Sequence, residues 1–571
     1  MDRSSVEGAR MSGRRVVAVV GGGAAGVLAS VALLRRTDAD VVLIESGELG
    51  GGVAYGASAR PWHLLNSRAG AMSAYPDDPG HFVRWAGVEA CDFMPRRAYG
   101  HYLREVLDWA ALAHPGRFRW VRGRVSDVRT DPLVILDDGR EVRADDVVLA
   151  LGNPVSGQPP GLPSALGEDP SFVADPWRPG ALDNLPHDRP VLLIGTGLTA
   201  VDVTLTLAAT EPARTPGTSG AARTNATPPA GATAHAVGAA NMNGTAQAGG
   251  TAQAGGTAQV SNAQVSSAAD KSSAVGGSSA VGGSSAVGGS SAVGGSSAAP
   301  AWGQKPARDP AAQSWEEVLC GEATVGDLDA GPGAFWDGPV WGGPDREQAR
   351  GLNTTGASDR VIIAYSRRGM LPLGHVERPA DLDFPDLTGK STLREIIRAV
   401  RESASTATDW RAVVDGLRPQ TDAVWGRLAD RDRDAFLRHL ARLWECHRHR
   451  MAPPVAARIA HLRETGRLIV RKGAPPEGLP KAAIVNCAGP GRLPGAATGL
   501  TATLLRKGLA RVGPYGLGLD VDHDGRIHRN IWVLGPLRRG VRWETTAVPE
   551  IRSQARDLAE EIATTGLERA A

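Results

Sequence analysis

Cysteine is scarce in this chain of 571 residues: Cys91, Cys320, Cys446 and Cys487 are the whole complement, and no two of them form a CxxC pair. That spacing argues against a disulfide framework, a zinc site and a flavin reductase working through a vicinal dithiol. An excess of one charge is also missing. Lys and Arg total 63 and Asp and Glu 61, a formal net charge of +2, so charge recommends neither nucleic acid nor a membrane surface as partner. No run of about 18 apolar residues occurs, so nothing reads as a bilayer span. The opening MDRSSVEGARMSGRR has no apolar signal core. The expectation is a soluble cytoplasmic protein with no metal site, and the sequence leaves its oligomeric state open.

What is abundant is glycine and alanine, distributed unevenly. From about 211 to 310 the composition collapses into Ala, Gly, Ser and Thr, with TAQAGG at 245–250 and 251–256 and SSAVGG four times between Ser272 and Gly295. Such a tract buries too little apolar surface to offset its ordering entropy. Residues 211–357 are therefore expected to be a low-complexity, mostly disordered insert, although Trp315, Trp336 and Trp341 lie within it. A partner-binding arm is the functional alternative.

With the insert removed, the flanks join. VVAVVGGGAAGVLASVALL (16–34) and RPVLLIGTGLTAVDVTLTL (189–207) each read as strand, glycine turn and helix, and DRVIIAYSRRG (359–369) reads as the strand after the second helix. The insert then lengthens a helix-to-strand connection of a βαβ unit, where a surface loop grows at little entropic cost. Two such units predict an α/β fold of two Rossmann-like dinucleotide-binding domains. Residues 390–465 have apolar spacings of three and four, as in STLREIIRAVRESA, and predict a helical insertion. The expected plan is a first domain over 14–155 and a second over 156–210. The second resumes at 358–389 and 466–494 around the helical subdomain 390–465, and 495–571 returns to the first.

Gly21, Gly23 and Gly26 satisfy GxGxxG. The first glycine permits the tight turn, the second lets backbone approach a pyrophosphate, and the third allows close packing of helix on strand. The next strand, ADVVLIES, ends in Glu45, nineteen residues after Gly26, where an acid hydrogen-bonds a ribose hydroxyl. The second turn, Gly195, Gly197 and Ala200, is GxGxxA, and its following strand ends in Ser366, Arg367 and Arg368. Arginines there suit a 2′-phosphate by charge and bidentate geometry; solvated surface arginines are the plain alternative. The second site is thus expected to take NADPH and the first FAD, since a flavin needs a hydride donor brought to it.

The segments VVGGGAAGV, GVAYG (52–56), HLLNSRAGAMSAYPDDPGHFVRW (63–85), PRRAYGHYL (95–103), GTGLTAVD, SRRGMLPLGH (366–375), WECHRHRMAPP (444–454) and LGPLRRGVRWETTAVPEIRSQA (534–555) occur in that order. Together they resemble the bacterial FAD-NAD(P)-binding flavoproteins related to N-hydroxylating and flavin-containing monooxygenases. The resemblance implies that Gly21, Gly23, Gly26 and Glu45 hold the ADP half of FAD, and it adds Tyr55 and Asn66 to the cofactor set. It makes VLALGNP (148–154), with Gly152, and NCAGP (486–490) the two crossovers between domains. Asp145, Leu149, Ala150 and Gly152 fit a D-x3-L-A-x-G pattern, with Leu151 where Thr is usual. Gly535 takes the place of a late glycine near the flavin, followed by Pro536 instead of an aspartate.

Thr545 or Thr546 is expected as N-cap of the last helix, with its donors toward the flavin. His447 and His449 stand at i, i+2, a poor helical spacing for joint metal binding, so with Arg450 they are expected to be structural or to line a substrate. Arg538, Arg539 and Arg542 are candidates for a substrate carboxylate, or equally surface charges or NADPH phosphate contacts. No residue stands out as catalytic acid, base or nucleophile. The Baeyer–Villiger pattern FxGxxxHxxxW is absent between 153 and 195, which disfavours carbonyl oxygenation. The resemblance implies an FAD- and NADPH-dependent monooxygenase that uses O2 on a small amino acid or amine in a natural-product pathway, with conversion of L-aspartate to nitrosuccinate as the named example. An NAD(P)H:flavin diaphorase feeding a partner and a nucleotide-sensing binding protein are the competing classes.

Overall fold

The computed structural model describes residues 13–56, 58–157, 171–209, 360–475 and 482–570, and all of them belong to one compact unit. The insert 211–357, with its tryptophans and Cys320, lies outside the described residues.

β1 (Val16–Val20), β2 (Asp40–Glu45), β3 (Phe118–Arg122), β7 (Asp146–Leu149) and β14 (Ile531–Val533) run parallel in a six-stranded sheet ordered β13-β14-β7-β1-β2-β3. The edge strand β13 (Arg526–His528) is antiparallel. Val17, Ala18 and Val19 are wholly buried, as a central strand covered on both faces requires, and this is why the run is apolar without alternation. One face carries helix α1 (Ala24–Arg36), sandwiched against the C-terminal helix Val548–Ala570 and the helix Arg96–Ala113. The other face packs against the antiparallel β4 (Val125–Val128), β5 (Leu133–Leu136) and β6 (Glu141–Arg143) and the helix Gly499–Arg506.

The second sheet is entirely parallel, in the order β11 (Leu468–Lys472), β10 (Ile362–Ser366), β9 (Val191–Ile194), β12 (Ala483–Asn486), β8 (Phe172–Val173). In both sheets the strand order reverses, between β1 and β7 in the first and between β9 and β12 in the second. Ligands of doubly wound sheets bind at such switch points. The two Rossmann-like domains are therefore present.

The helical subdomain is narrower than 390–465. Its core joins Leu393, Ile396, Trp425, Ala435 and Trp543. The helix Pro453–Glu464 instead packs Ile459 and Leu462 against Leu193 and Ile362. It precedes β11 and packs back on the second sheet, as a crossover helix between parallel strands must. The two crossovers between domains lie side by side: Gly491 N–H donates to the Val155 carbonyl at 3.0 Å, and the Asn486 amide to the Gly157 carbonyl at 3.1 Å.

A second junction is ionic. Arg96, at the start of the helix Arg96–Ala113, pairs at 2.8 Å with Asp202 of the helix Leu198–Ala209, both side chains nearly shielded from solvent. His63 bonds through Nε2 to Thr206 Oγ1 at 2.9 Å on that same helix. Removing one member of a buried pair leaves an uncompensated charge. Arg96→Met is expected to destabilise the protein by about 3–5 kcal/mol in urea unfolding, and Asp202→Asn by less; a loss under about 1 kcal/mol for Arg96→Met contradicts the junction.

Candidate functional site

Both glycine turns are built by the same backbone device. Gly21 has φ +104° and Gly195 φ +114°. Gly21 N–H donates to the Ile44 carbonyl at 2.9 Å, and Gly195 N–H to the Tyr365 carbonyl at 2.7 Å. Across the switch point, a Cβ on Gly21 falls 2.4 Å from the Ala150 oxygen, and one on Gly195 falls 2.3 Å from the Cys487 oxygen. No other residue fits either corner. Two residues beyond those carbonyls, Gly152 (φ +72°) and Gly489 (φ +81°) again match, each facing open space. The first turn is tighter at its third glycine, where a Cβ on Gly26 falls 1.7 Å from the Gly21 oxygen. Alanine is accommodated at the corresponding Ala200.

Glu45 folds over the first turn. Its Oε2 accepts from Gly22 N–H at 2.7 Å and its Oε1 from Gly47 N–H at 2.8 Å. Gly22 was not among the expected site residues, yet a Cβ there meets Leu49 and Glu45 side chains at 2.6–2.7 Å. The middle glycine of GGG was the available signal. The short helix Gly52–Tyr55 crosses the turn, with Gly52 Cα 3.6 Å from the Cβ position of Gly23, and Gly50 N–H donates to the Gly22 carbonyl at 2.8 Å. Tyr55 packs edge-on against Tyr99 at 4.9 Å, and burial raises its pKa. Asn66 offers its backbone carbonyl to His375 Nε2 at 3.1 Å.

Gly535 (φ +80°) reaches the start of α1, its Cβ position 3.6 Å from that of Ala25. A buried triad holds it: Thr545 Oγ1 donates to the Gly535 carbonyl at 2.9 Å, Gln554 donates to Thr545 Oγ1 at 2.9 Å, and Gly535 N–H donates to Gln554 at 3.3 Å. Neither Thr545 nor Thr546 caps the last helix. It begins at Val548, and its first bond runs from Ile551 N–H to the Ala547 carbonyl. For Thr545, proline gives the reason. A cap at Thr545 would put Pro549 at the fourth helical position, where an N–H is required, whereas the observed start puts it in the first turn.

The three candidate substrate arginines have other partners. Arg538 is buried, donates to the His523 carbonyl at 2.8 Å, and is lowered to about 10 by burial. Arg539 is bonded to Glu445 and lies 4.4 Å over the Trp543 ring. Arg542 faces Asp422 at 3.8 Å.

Around the second turn, Ser366 is a turn builder: its Oγ accepts from Thr196 Oγ1 at 2.9 Å and from Gly369 N–H at 3.0 Å. Arg367 is exposed. Arg368 donates to the His439 carbonyl at 2.7 Å. The residue missed by sequence reasoning is Arg442, on the helix Ala441–Arg448, which bonds the Thr196 and Met370 carbonyls. No local motif marks it, because helix packing brings it to the turn.

Behind Asn66, a partly buried polar chain runs from Asp415 through buried Arg450 (2.7 Å) to His375 (3.3 Å). Burial holds His375 and His447 far down, each at about 3. His447 Nδ1 donates to the Leu443 carbonyl at 2.8 Å, and His449 pairs with Glu445 at 3.2 Å. Burial also raises both Cys446, to about 11, and Cys487, so neither thiol is poised as a thiolate. Among the described residues no group of three or more His, Cys, Asp or Glu is placed to hold a metal ion, and no helix is long and apolar enough to cross a membrane.

Residues 18–154 match the family model described as FAD-NAD(P)-binding. The matched span runs from within β1 through the first glycine turn and Glu45 past the end of β7, so this stretch is an FAD-NAD(P)-binding domain. The cofactors are FAD and a nicotinamide dinucleotide. No curated protein matches the chain. Among solved structures, a bacillithiol disulfide reductase from Bacillus cereus aligns over 97% of this chain and 99% of its own, at 10% identity and TM-score 0.42. A cyclohexanone monooxygenase from Rhodococcus sp. Phi1 bound to NADP+ aligns at 24% identity and TM-score 0.26, over 34% of this chain and 36% of its own. A steroid monooxygenase bound to NADP aligns at 22% identity and TM-score 0.25, over the same shares.

Two predictions follow from these contacts. Gly26→Ala forces the Gly21 carbonyl aside, so the variant is expected to purify without flavin while wild type carries it; a variant with full flavin content contradicts the turn geometry. The second concerns pH. Because His447 titrates at about 3 in the fold and 6.5 when exposed, the unfolded chain alone takes up a proton between those values. Stability therefore falls on acidification through that window, by about 1.4 kcal/mol per pH unit for this histidine. His447→Phe is expected to reduce the pH slope of unfolding free energy by that amount between about pH 4.5 and 6; an unchanged slope contradicts the burial.

Proposed function

We propose that the chain is a flavin-dependent oxidoreductase that carries FAD on the first glycine turn and NADPH on the second, and that it oxygenates the nitrogen of a small amine or amino acid. One observation carries the reading: two switch points with the same glycine corner lie in one compact unit, linked by adjacent crossovers. A protein that only stored a nucleotide needs one such corner.

The residues present fit the cofactors. Beside Gly23 only Gly52 comes near, and Gly152 and Gly489 leave open space at the strand ends. The backbone from Gly21 to Gly26 and the N-terminus of α1 suit a pyrophosphate, and Glu45 is placed for a ribose hydroxyl. Bound FAD supplies hydride acceptance and oxygen chemistry. The chain supplies position: the Thr545–Gln554 pair holds the Gly535 loop against α1, and the helical subdomain closes over that loop through Arg539–Glu445 and the Trp425–Gly540 bond of 3.1 Å. Exposed Arg367 suits a 2′-phosphate.

Oxygen transfer to nitrogen is supported by the sequence resemblance and by the missing Baeyer–Villiger pattern. L-aspartate is the first compound to test, although Arg538, Arg539 and Arg542 do not single out an acidic substrate.

Purified protein supplied with FAD, NADPH and oxygen is expected to consume NADPH faster with its amine substrate and to release a product heavier by oxygen. If every amine in a panel that includes aspartate leaves consumption and product mass unchanged while peroxide accumulates, the oxygenase reading fails in favour of a diaphorase.

A further inference from the structure

The helix Ala441–Arg448 crosses the mouth of the second glycine turn. Arg442 Nη2 donates to the Thr196 carbonyl at 3.0 Å, to Thr196 Oγ1 at 3.0 Å and to the Met370 carbonyl at 2.6 Å. Its Nη1 meanwhile stands 3.8 Å from where a Cβ on Gly197 would be. Gly197 immediately precedes the helix Leu198–Ala209, so the guanidinium overhangs the helix N-terminus on which a dinucleotide's pyrophosphate rests. Its neighbours are cationic. Arg367, Arg368, Arg492 and Arg539 lie within electrostatic reach of one another or of this helix, against the carboxylates of Glu445 and Asp434. A surplus of arginine around a turn is a field that an anion relieves.

We propose that Arg442 is a pyrophosphate ligand of the nicotinamide dinucleotide, contributed to the second Rossmann domain by the helical subdomain. The proposal rests on the reading of that turn as the nicotinamide-dinucleotide site. Arginine suits the task because its fork can keep the turn's carbonyls on one nitrogen while presenting the other to a phosphate oxygen. The assignment divides the labour among arginines. Arg367, at the end of the following strand, reads the 2′-phosphate, which NADP+ has and NAD+ lacks. Arg442 reads the pyrophosphate that both share.

The test uses FAD-loaded full-length protein and the oxidised dinucleotides NADP+ and NAD+, so that binding is measured without turnover. Arg442→Gln keeps an amide donor for the carbonyls and removes the charge. It is expected to weaken NADP+ and NAD+ by the same factor, about 10–100-fold, and to flatten the salt dependence of both affinities. Arg442→Lys is expected to fall between wild type and Gln, and it carries the test if the Gln variant does not fold. Arg367→Ala is expected to weaken NADP+ alone.

Affinities within twofold of wild type for both dinucleotides in folded Arg442→Gln overturn the proposal, as does a salt dependence unchanged from wild type, which marks a purely structural arginine. A loss confined to NADP+ overturns it too, by moving Arg442 to the 2′-phosphate. Wild-type protein that binds neither dinucleotide instead removes the reading of the second turn on which the proposal stands.

Discussion

Two backbone carbonyls set the terms for the molecule. The oxygens of Ala150 and Cys487 press so closely on Gly21 and Gly195 that neither corner has room for a side chain. In each case the strand bearing the carbonyl lies across the switch point from the strand that leads into the glycine. The closeness of the two strands is what opens a crevice beyond their ends, and φ near +104° or +114° is what turns the chain into the helix beyond it. Fold and site thus share one cause: the approach that packs the sheet also shapes the place where a dinucleotide lies.

The helical subdomain converts two corners into one assembly. Within one helix, Arg442 reaches the second turn and Glu445 reaches Arg539 beside the Gly535 loop. Arg448 faces Glu544 at 3.6 Å, and Arg418 is bonded to Glu550. These pairs are largely shielded from water, where an ion pair's geometry matters more than on an exposed surface. The subdomain's core borrows Trp543 from the C-terminal segment, so its packing and the first domain's are not separable. A shift of this helix would be felt at the second turn and at the Gly535 loop, the coupling that the proposed pairing of two cofactors requires.

Much of this was legible in the sequence because it is written in local rules. Strand–glycine–helix patterns located both Rossmann units, and apolar spacing located the helical region. The glycines are readable since φ and Cβ clearance leave no substitute. What was not legible depends on contacts distant in sequence. Arg442 lies 246 residues from Thr196, and no periodicity announces that meeting. Arg538, Arg539 and Arg542 looked like a unit because they are close in sequence, but Glu445 takes Arg539 while Arg538 and Arg542 turn to the His523 carbonyl and Asp422. The last helix shows how a local rule misleads when another outranks it: Thr545 is a good cap by residue type, yet Pro549 delays the helix and the Gly535 carbonyl takes its hydroxyl. The helix Pro453–Glu464 shows the same for domain limits, since periodicity identifies a helix without saying which core receives it.

The central claim is that these paired corners serve one electron transfer. It is tested most directly by mixing FAD-loaded protein with NADPH in the absence of oxygen and following the flavin's visible absorbance. The account predicts that the yellow colour bleaches, and that Gly195→Val, whose side chain cannot fit beside the Cys487 carbonyl, retains flavin but no longer bleaches. Wild-type flavin that stays oxidised while NADPH is bound would contradict it.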